Sequence, residues 1–116
     1  MKESIIQGKT FQFAKNIISL YKQLQKNNEF VLSKQILRSG TSIGANVSES
    51  SAAVSKRDFV NKLAIASKEA RETKYWLRLL DETDLSNIDV KKYLDDIQEI
   101  NNMISKIIKT TQEKYL

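Results

Sequence analysis

Apolar side chains along this chain recur at steps of three and four, the spacing that returns a residue to the same face of an α-helix. Phe13, Ile17, Leu20 and Leu24 step by 4, 3 and 4, and Ala14, Ile18 and Tyr21 widen the stripe. This predicts a first helix over about 10–27, ended by the breaker pair Asn27-Asn28. Leu32, Ile36, Gly40, Ile43, Val47 and Val54 trace a second inner face and predict a helix over about 33–53. Phe59, Leu63, Ala66, Ala70, Thr73, Leu77 and Leu80 then alternate steps of 4 and 3, a heptad-like seam. Ser55, with Asp58 three residues on, supplies a start close to a capping box. Tyr75, Trp76 and Leu79 flank the seam, so this third helix is apolar on more than one side. Residues 81–87 read as a polar loop, and Ser86-Asn87-Ile88-Asp89 as a second start of the capping-box kind. A fourth helix follows to about residue 113. Its inner face carries Val90, Tyr93 or Leu94, Ile97, Ile100 or Asn101, Ile104, Ile107 or Ile108, and Thr111.

The second helix contains Ser39-Gly40-Thr41-Ser42-Ile43-Gly44-Ala45. Two glycines inside a helix cost about 1 kcal/mol each relative to alanine, so a loop competes with the helix here. The helix is favoured because the apolar period passes through Gly40 without a change of phase. Small residues at these positions let a neighbouring backbone come close. Four helices with short connections predict an all-α fold: an antiparallel up-down-up-down four-helix bundle, one domain over 1–116.

Composition supports that fold and narrows the chemistry. The 116 residues include no Pro, no Cys, no His and three Gly, too few turn formers for an all-β fold. Without cysteine there is no disulfide framework, thiolate metal site or cysteine nucleophile. Without histidine there is no Ser-His-Asp triad, no His-ligated zinc and no Glu-x-x-His di-iron pair. The N-terminus lacks a signal-peptide core, and no run approaches the roughly 18 apolar residues of a membrane span. A soluble cytoplasmic protein is the expectation, with no cofactor, no metal and no membrane partner.

Two motifs invite chemistry. Gly40-Thr41-Ser42-Ile43-Gly44 is glycine-rich, but a P-loop needs G-x-x-x-x-G-K-[ST] and its lysine, and here Ala45-Asn46 follows. Close helix packing is the better account. Glu49, Glu69 and Glu72 could face one another across helices two and three, as paired carboxylates do in acid–base or metal sites. A structural role is stronger. Arg38, Ser42, Asn46 and Glu49 share one flank of helix two, and Glu69, Glu72, Thr73 and Trp76 share one of helix three. This predicts a polar seam, within the bundle or between subunits, that sets register more than it stabilises. Nothing points to a catalytic group, and the chain reads as a non-enzyme.

The net charge is +5 from 19 Lys+Arg and 14 Asp+Glu. Lys15, Lys22 and Lys26 share one face of the first helix, and Arg71, Lys74 and Arg78 form a stripe on the third. Such stripes attract phosphate backbones without regard to sequence. An ordinary solvated helix face is the competing account. Basic and aromatic residues are not interleaved as in an RRM, so sequence-specific RNA reading is unsupported.

Residues 37–49, Leu37-Arg38-Ser39-Gly40-Thr41-Ser42-Ile43-Gly44-Ala45-Asn46-Val47-Ser48-Glu49, resemble the signature of the four-helix-bundle proteins encoded within intervening sequences of bacterial 23S ribosomal RNA genes. The stretch from Asp58 to Leu77, with its Glu69-Ala70-Arg71-Glu72-Thr73-Lys74-Tyr75-Trp76 core, is similar to that family's second block. The resemblance runs from about Phe13 to Leu80; the last helix matches in pattern only. That family is similar in turn to the accessory variability protein of diversity-generating retroelements. The resemblance therefore implies a homopentamer with positively charged surfaces that binds nucleic acid and a reverse transcriptase. It carries no catalytic residues, and a ribosomal-protein label attached to the family rests on gene location rather than chemistry.

The expectation is a non-catalytic homo-oligomer, a pentamer, binding RNA or DNA. Lys15, Lys22, Lys26, Arg71, Lys74 and Arg78 are the nucleic-acid-binding candidates. Tyr75, Trp76 and Leu79 are the candidate oligomer interface, and Arg38, Asn46, Glu49, Glu69 and Glu72 form the polar seam. The alternative is a scaffold that docks a protein partner such as a reverse transcriptase.

Overall fold

A computed structural model of the chain describes residues 2–116, with side chains from residue 5 onward. Met1 and the side chains of Lys2, Glu3 and Ser4, of which Lys2 and Glu3 enter the charge count, lie outside the described residues. Four helices make up the fold: α1 (Lys2–Lys26), α2 (Leu32–Ser50), α3 (Lys56–Glu82) and α4 (Lys91–Tyr115). Residues 27–31, 51–55 and 83–90 connect them.

Side-chain pairings give the topology. Gly40 and Gly44 of α2 lie against Ile17 and Thr10 of α1, so one chain climbs as the other descends. Lys74 meets Gln98, and Asp81 meets Lys91, across α3 and α4. Lys9 of α1 pairs with Glu99 of α4, and Asn27, just past α1, with Asn87, just ahead of α4. With the short α2–α3 connection, each neighbour runs antiparallel to the last. The up-down-up-down bundle measures 47 × 21 × 21 Å. Consecutive helices pack closely, α4 closes on α1 less tightly, and the backbones of the diagonal pairs stay apart.

The inner faces interlock as one cluster. Phe13, Ile17, Leu20 and Leu24 of α1 meet Ile36, Ile43 and Val47 of α2, Leu63, Leu77 and Leu80 of α3, and Ile97, Ile100 and Ile104 of α4. Burying one such side chain contributes roughly 1.5–3 kcal/mol, more than the helix penalty of a glycine. Packing therefore carries α2 unbroken through Gly40 and Gly44. Among the described residues, no buried side-chain nitrogen or oxygen lacks a partner.

Four expectations change. Helix α1 begins at Lys2 rather than near residue 10. Ile6 extends the inner face by one further step of seven, and the Thr10 hydroxyl bonds back to the Ile6 carbonyl, so nothing breaks the helix there. Ile18 lies exposed at 41% and takes no part in the inner stripe. Val54 is 94% exposed and is not on the inner face of α2. The N–H groups of Ser51, Ala52 and Ala53 each bond three residues back, and that tighter turn ends α2 and takes the chain off the α-helical phase. Finally, Ser86 and Asp89 do not start α4. The Ser86 hydroxyl accepts from Ile88 N–H and Asp89 Oδ1 from Lys91 N–H, both two residues on, making turns ahead of a helix that begins at Lys91.

Ser55 caps α3 as its spacing predicts, accepting the Asp58 N–H at 3.0 Å. The N-terminus of α2 is capped from outside the helix. The Glu29 carboxylate, 7% exposed, accepts the N–H groups of Val31, Leu32 and Ser33. Asn28, at φ 62°, turns the chain so that Glu29 can reach them.

Candidate functional site

Helix α3 leaves two flanks beside its buried seam. On the flank facing α4, Arg71, Lys74 and Arg78 line a groove of about 450 Å3. Gln98, Asn101, Asn102 and Ser105 of α4 form the opposite wall, and Tyr75 and Ser67 complete the lining. No carboxylate lines the groove among the described residues. Lys74 donates to Gln98 Oε1 at 2.6 Å and Arg71 to Ser67 Oγ at 2.9 Å, so both cations are oriented by neutral partners rather than by carboxylates. Arg78 pairs with Glu82 at 3.2 Å on the solvent side. An exposed pair one helical turn apart is worth only about 0.3–0.5 kcal/mol, so a phosphate can displace it. The groove thus offers three cationic donors over about 10 Å of helix, faced by amides that can donate or accept.

Lys15, Lys22 and Lys26 are exposed on the outward face of α1. Lys15 lies over the Phe11 ring, 5.3 Å from its centroid. Because α1 and α3 occupy diagonal corners of the bundle, these lysines form a second stripe separate from the groove.

The other flank of α3 faces α2. Arg38 reaches across to both Glu69, at 3.1 Å, and Glu72. The Trp76 indole N–H donates to Glu72 Oε2 at 3.1 Å. That bond is the main reason the Glu72 carboxyl titrates below its ordinary range, with Arg38 adding to it. The carboxylates in turn raise the Arg38 guanidinium, Glu72 most of all. Below this pair Ser39 and Thr73 share a buried hydroxyl bond of 2.8 Å. Asn46 instead donates to the Ser42 carbonyl of its own helix, and Glu49 is exposed, so the cross-helix contacts lie at Arg38, Glu69 and Glu72.

Tyr75 and Trp76 meet edge to face, with centroids 5.1 Å apart and planes at 69°. Tyr75 stands 56% exposed at the rim of the basic groove, while Trp76 is half-buried against the core. Leu79, one turn on from both, is half-buried.

The amide wall of α4 escaped sequence reasoning. Its signal was present, since positions 98, 101, 102 and 105 share one helix flank, but polar residues at helical spacing look like any solvated face until the facing helix is known. Glu29 escaped for a similar reason: it precedes the helix it caps. Among the described residues no three His, Cys, Asp or Glu side chains are grouped as a metal site needs. No described helix is long and apolar enough to cross a membrane.

Comparison with known proteins agrees with the fold. A family model described as 23S rRNA-intervening sequence protein matches residues 2–106. The crystal structure of a protein of unknown function from the S23 ribosomal protein family of Bacteroides thetaiotaomicron superposes with a TM-score of 0.86 at 50% identity. The match covers 94% of this chain and 99% of that one. No curated protein matches the chain.

Proposed function

The chain belongs to the 23S rRNA-intervening sequence protein family, and from that premise we propose that it is a non-catalytic, homo-oligomeric bundle protein that binds RNA or DNA through basic surfaces. The observation that carries this reading is the α3–α4 groove, with three cations and no facing carboxylate among its described lining. Arg71, Lys74 and Arg78 hold the phosphate backbone there, and Lys15, Lys22 and Lys26 form the second contact stripe. The contacts are ionic and backbone-directed, so affinity depends on salt far more than on sequence.

Assembly completes the reading. A pentamer built through Trp76, Leu79 and the outer edge of Tyr75 carries a formal +25 from five +5 chains. That sum turns a modest charge into a strong attracting field. The chemistry of the chain supports a binding role rather than turnover. It has no His or Cys, and Glu69 and Glu72 are engaged by Arg38.

Filter binding to structured RNA across a salt series is the direct test. Affinity at low salt that falls steeply as salt rises is the expected result; no affinity at low salt overturns the proposal. Size exclusion with light scattering tests assembly, and a monomer at micromolar concentration rules the pentamer out.

A further inference from the structure

A second concavity lies at the end of the bundle opposite the 27–31 and 83–90 connections. There the start of α1, the end of α2, the start of α3 and the last turns of α4 surround a groove of about 1070 Å3. Ile6, Val47, Phe59, Leu63, Met103 and Ile107 supply its apolar lining. Two hydroxyls of the lining are engaged by their own helices. Ser50 bonds back to the Val47 carbonyl at 2.6 Å, and Thr111 to the Ile107 carbonyl at 2.8 Å. Three lysines, Lys56, Lys106 and Lys114, stand around the apolar floor, and no carboxylate lines it among the described residues.

We propose that this end groove is a docking site for an amphipathic helix of a partner protein, with an apolar ridge seated on the floor and acidic residues along its flanks. Three features select that occupant. The apolar floor favours a partner whose side chains there are apolar, since bringing apolar surfaces together removes both from water. The walls are helix ends and the short 51–55 connection, with no strand edge among the described residues for an extended peptide to pair with. A helix arrives with its own backbone bonds made. The basic rim sets the sign of the flanks, favouring carboxylates and repelling a basic helix. The volume also suits the few side chains at i, i+3, i+4 and i+7 that a docked helix presents. The site lies at the bundle end, away from the α3–α4 groove, and does not depend on nucleic-acid binding.

Selection from a random peptide display library against the full chain tests this. Enriched sequences should combine apolar residues at helical spacing with net negative charge. An enriched peptide, fluorescently labelled, should lose at least tenfold in affinity for a Val54→Asp/Lys106→Glu variant. Both positions are exposed, so the fold should survive, which circular dichroism checks. Affinity should be unchanged by Arg71→Gln/Lys74→Gln/Arg78→Gln, which separates this site from the nucleic-acid surface. Four outcomes overturn the proposal: no enrichment; enriched peptides that are basic or of period two; equal affinity for the Val54→Asp/Lys106→Glu variant; or dissociation of an oligomer by that variant, which assigns the groove to a second copy of the chain.

Discussion

Gly40 of α2 sits directly on the side chain of Ile17 of α1. A Cβ built at Gly40 would come within 2.9 Å of both Ile17 Cγ1 and Cγ2. Those atoms branch from Cβ and belong to a fully buried residue, so they cannot swing aside. Alanine at position 40 gains about 1 kcal/mol of helix propensity but overpacks the core, at about 1–3 kcal/mol. Gly40→Ala is therefore expected to destabilise by about 1 kcal/mol in urea denaturation. In an Ile17→Ala background the obstruction is gone and the same change should become stabilising. Equal effects in both backgrounds would show that the contact is not what requires glycine.

Arg38 is expected to matter more than its exposure suggests. Truncation to Ala leaves the nearly buried Glu69 carboxylate without its partner, a loss of about 1–2 kcal/mol. Arg38→Lys should recover little, because one ammonium cannot span two carboxylates as a planar guanidinium fork does. Chemical denaturation of the two variants decides this, and full recovery by lysine would refute it.

The pH dependence of stability follows from Glu72. Its carboxyl titrates below the ordinary value of 4.5 in the folded chain, through the Trp76 N–H first and Arg38 second. A depressed folded value means that the carboxylate stabilises the fold above pH 4.5 and that this contribution fades as pH falls further. The stability gap between the native chain and Glu72→Gln should thus narrow in acid. Trp76→Phe removes the leading donor and should move the Glu72 titration upward, as read by carboxyl NMR.

The groove predicts a salt signature. Arg71→Gln/Lys74→Gln/Arg78→Gln should weaken RNA binding across sequences and reduce the salt slope by up to about 3, near one per lost phosphate contact. Lys15→Gln/Lys22→Gln/Lys26→Gln should add a separate loss, since distant sites combine independently. Unchanged slopes in both variants would remove the basic stripes from the mechanism.

If Trp76 and Leu79 line the subunit interface, Leu79→Asp should shift light scattering from five times the 13.3 kDa chain mass toward one. The helical circular dichroism signal should persist, because Leu79 is only half-buried. An unchanged mass would place the interface elsewhere.

Much of the molecule was legible in its periodicity. Ile17, Ile36, Leu63, Leu77 and Ile97 are buried where steps of three and four put them, because burying one face of a helix is the dominant favourable term. The alignment of Arg38 with Glu69 and Glu72 was also open to the flank pattern. Helix ends were harder to read. A few local hydrogen bonds set them: Glu29 reaches forward to cap α2 from two to four residues away, and Ser51 to Ala53 turn the chain so that Val54 leaves the core.

The sequence by itself determined the number of helices, their inner faces and the absence of His- and Cys-based chemistry, since each of these depends only on local spacing or on counts. Tertiary structure decided which outer faces meet. It put Arg71, Lys74 and Arg78 opposite the amides of α4, kept the α1 lysines at a separate corner, and gathered four helix ends around an apolar groove with a basic rim. Periodicity records one helix's rotation about its own axis. Which neighbour fills the space beside it depends on how side chains as small as Gly40 and as large as Ile17 fit together between helices.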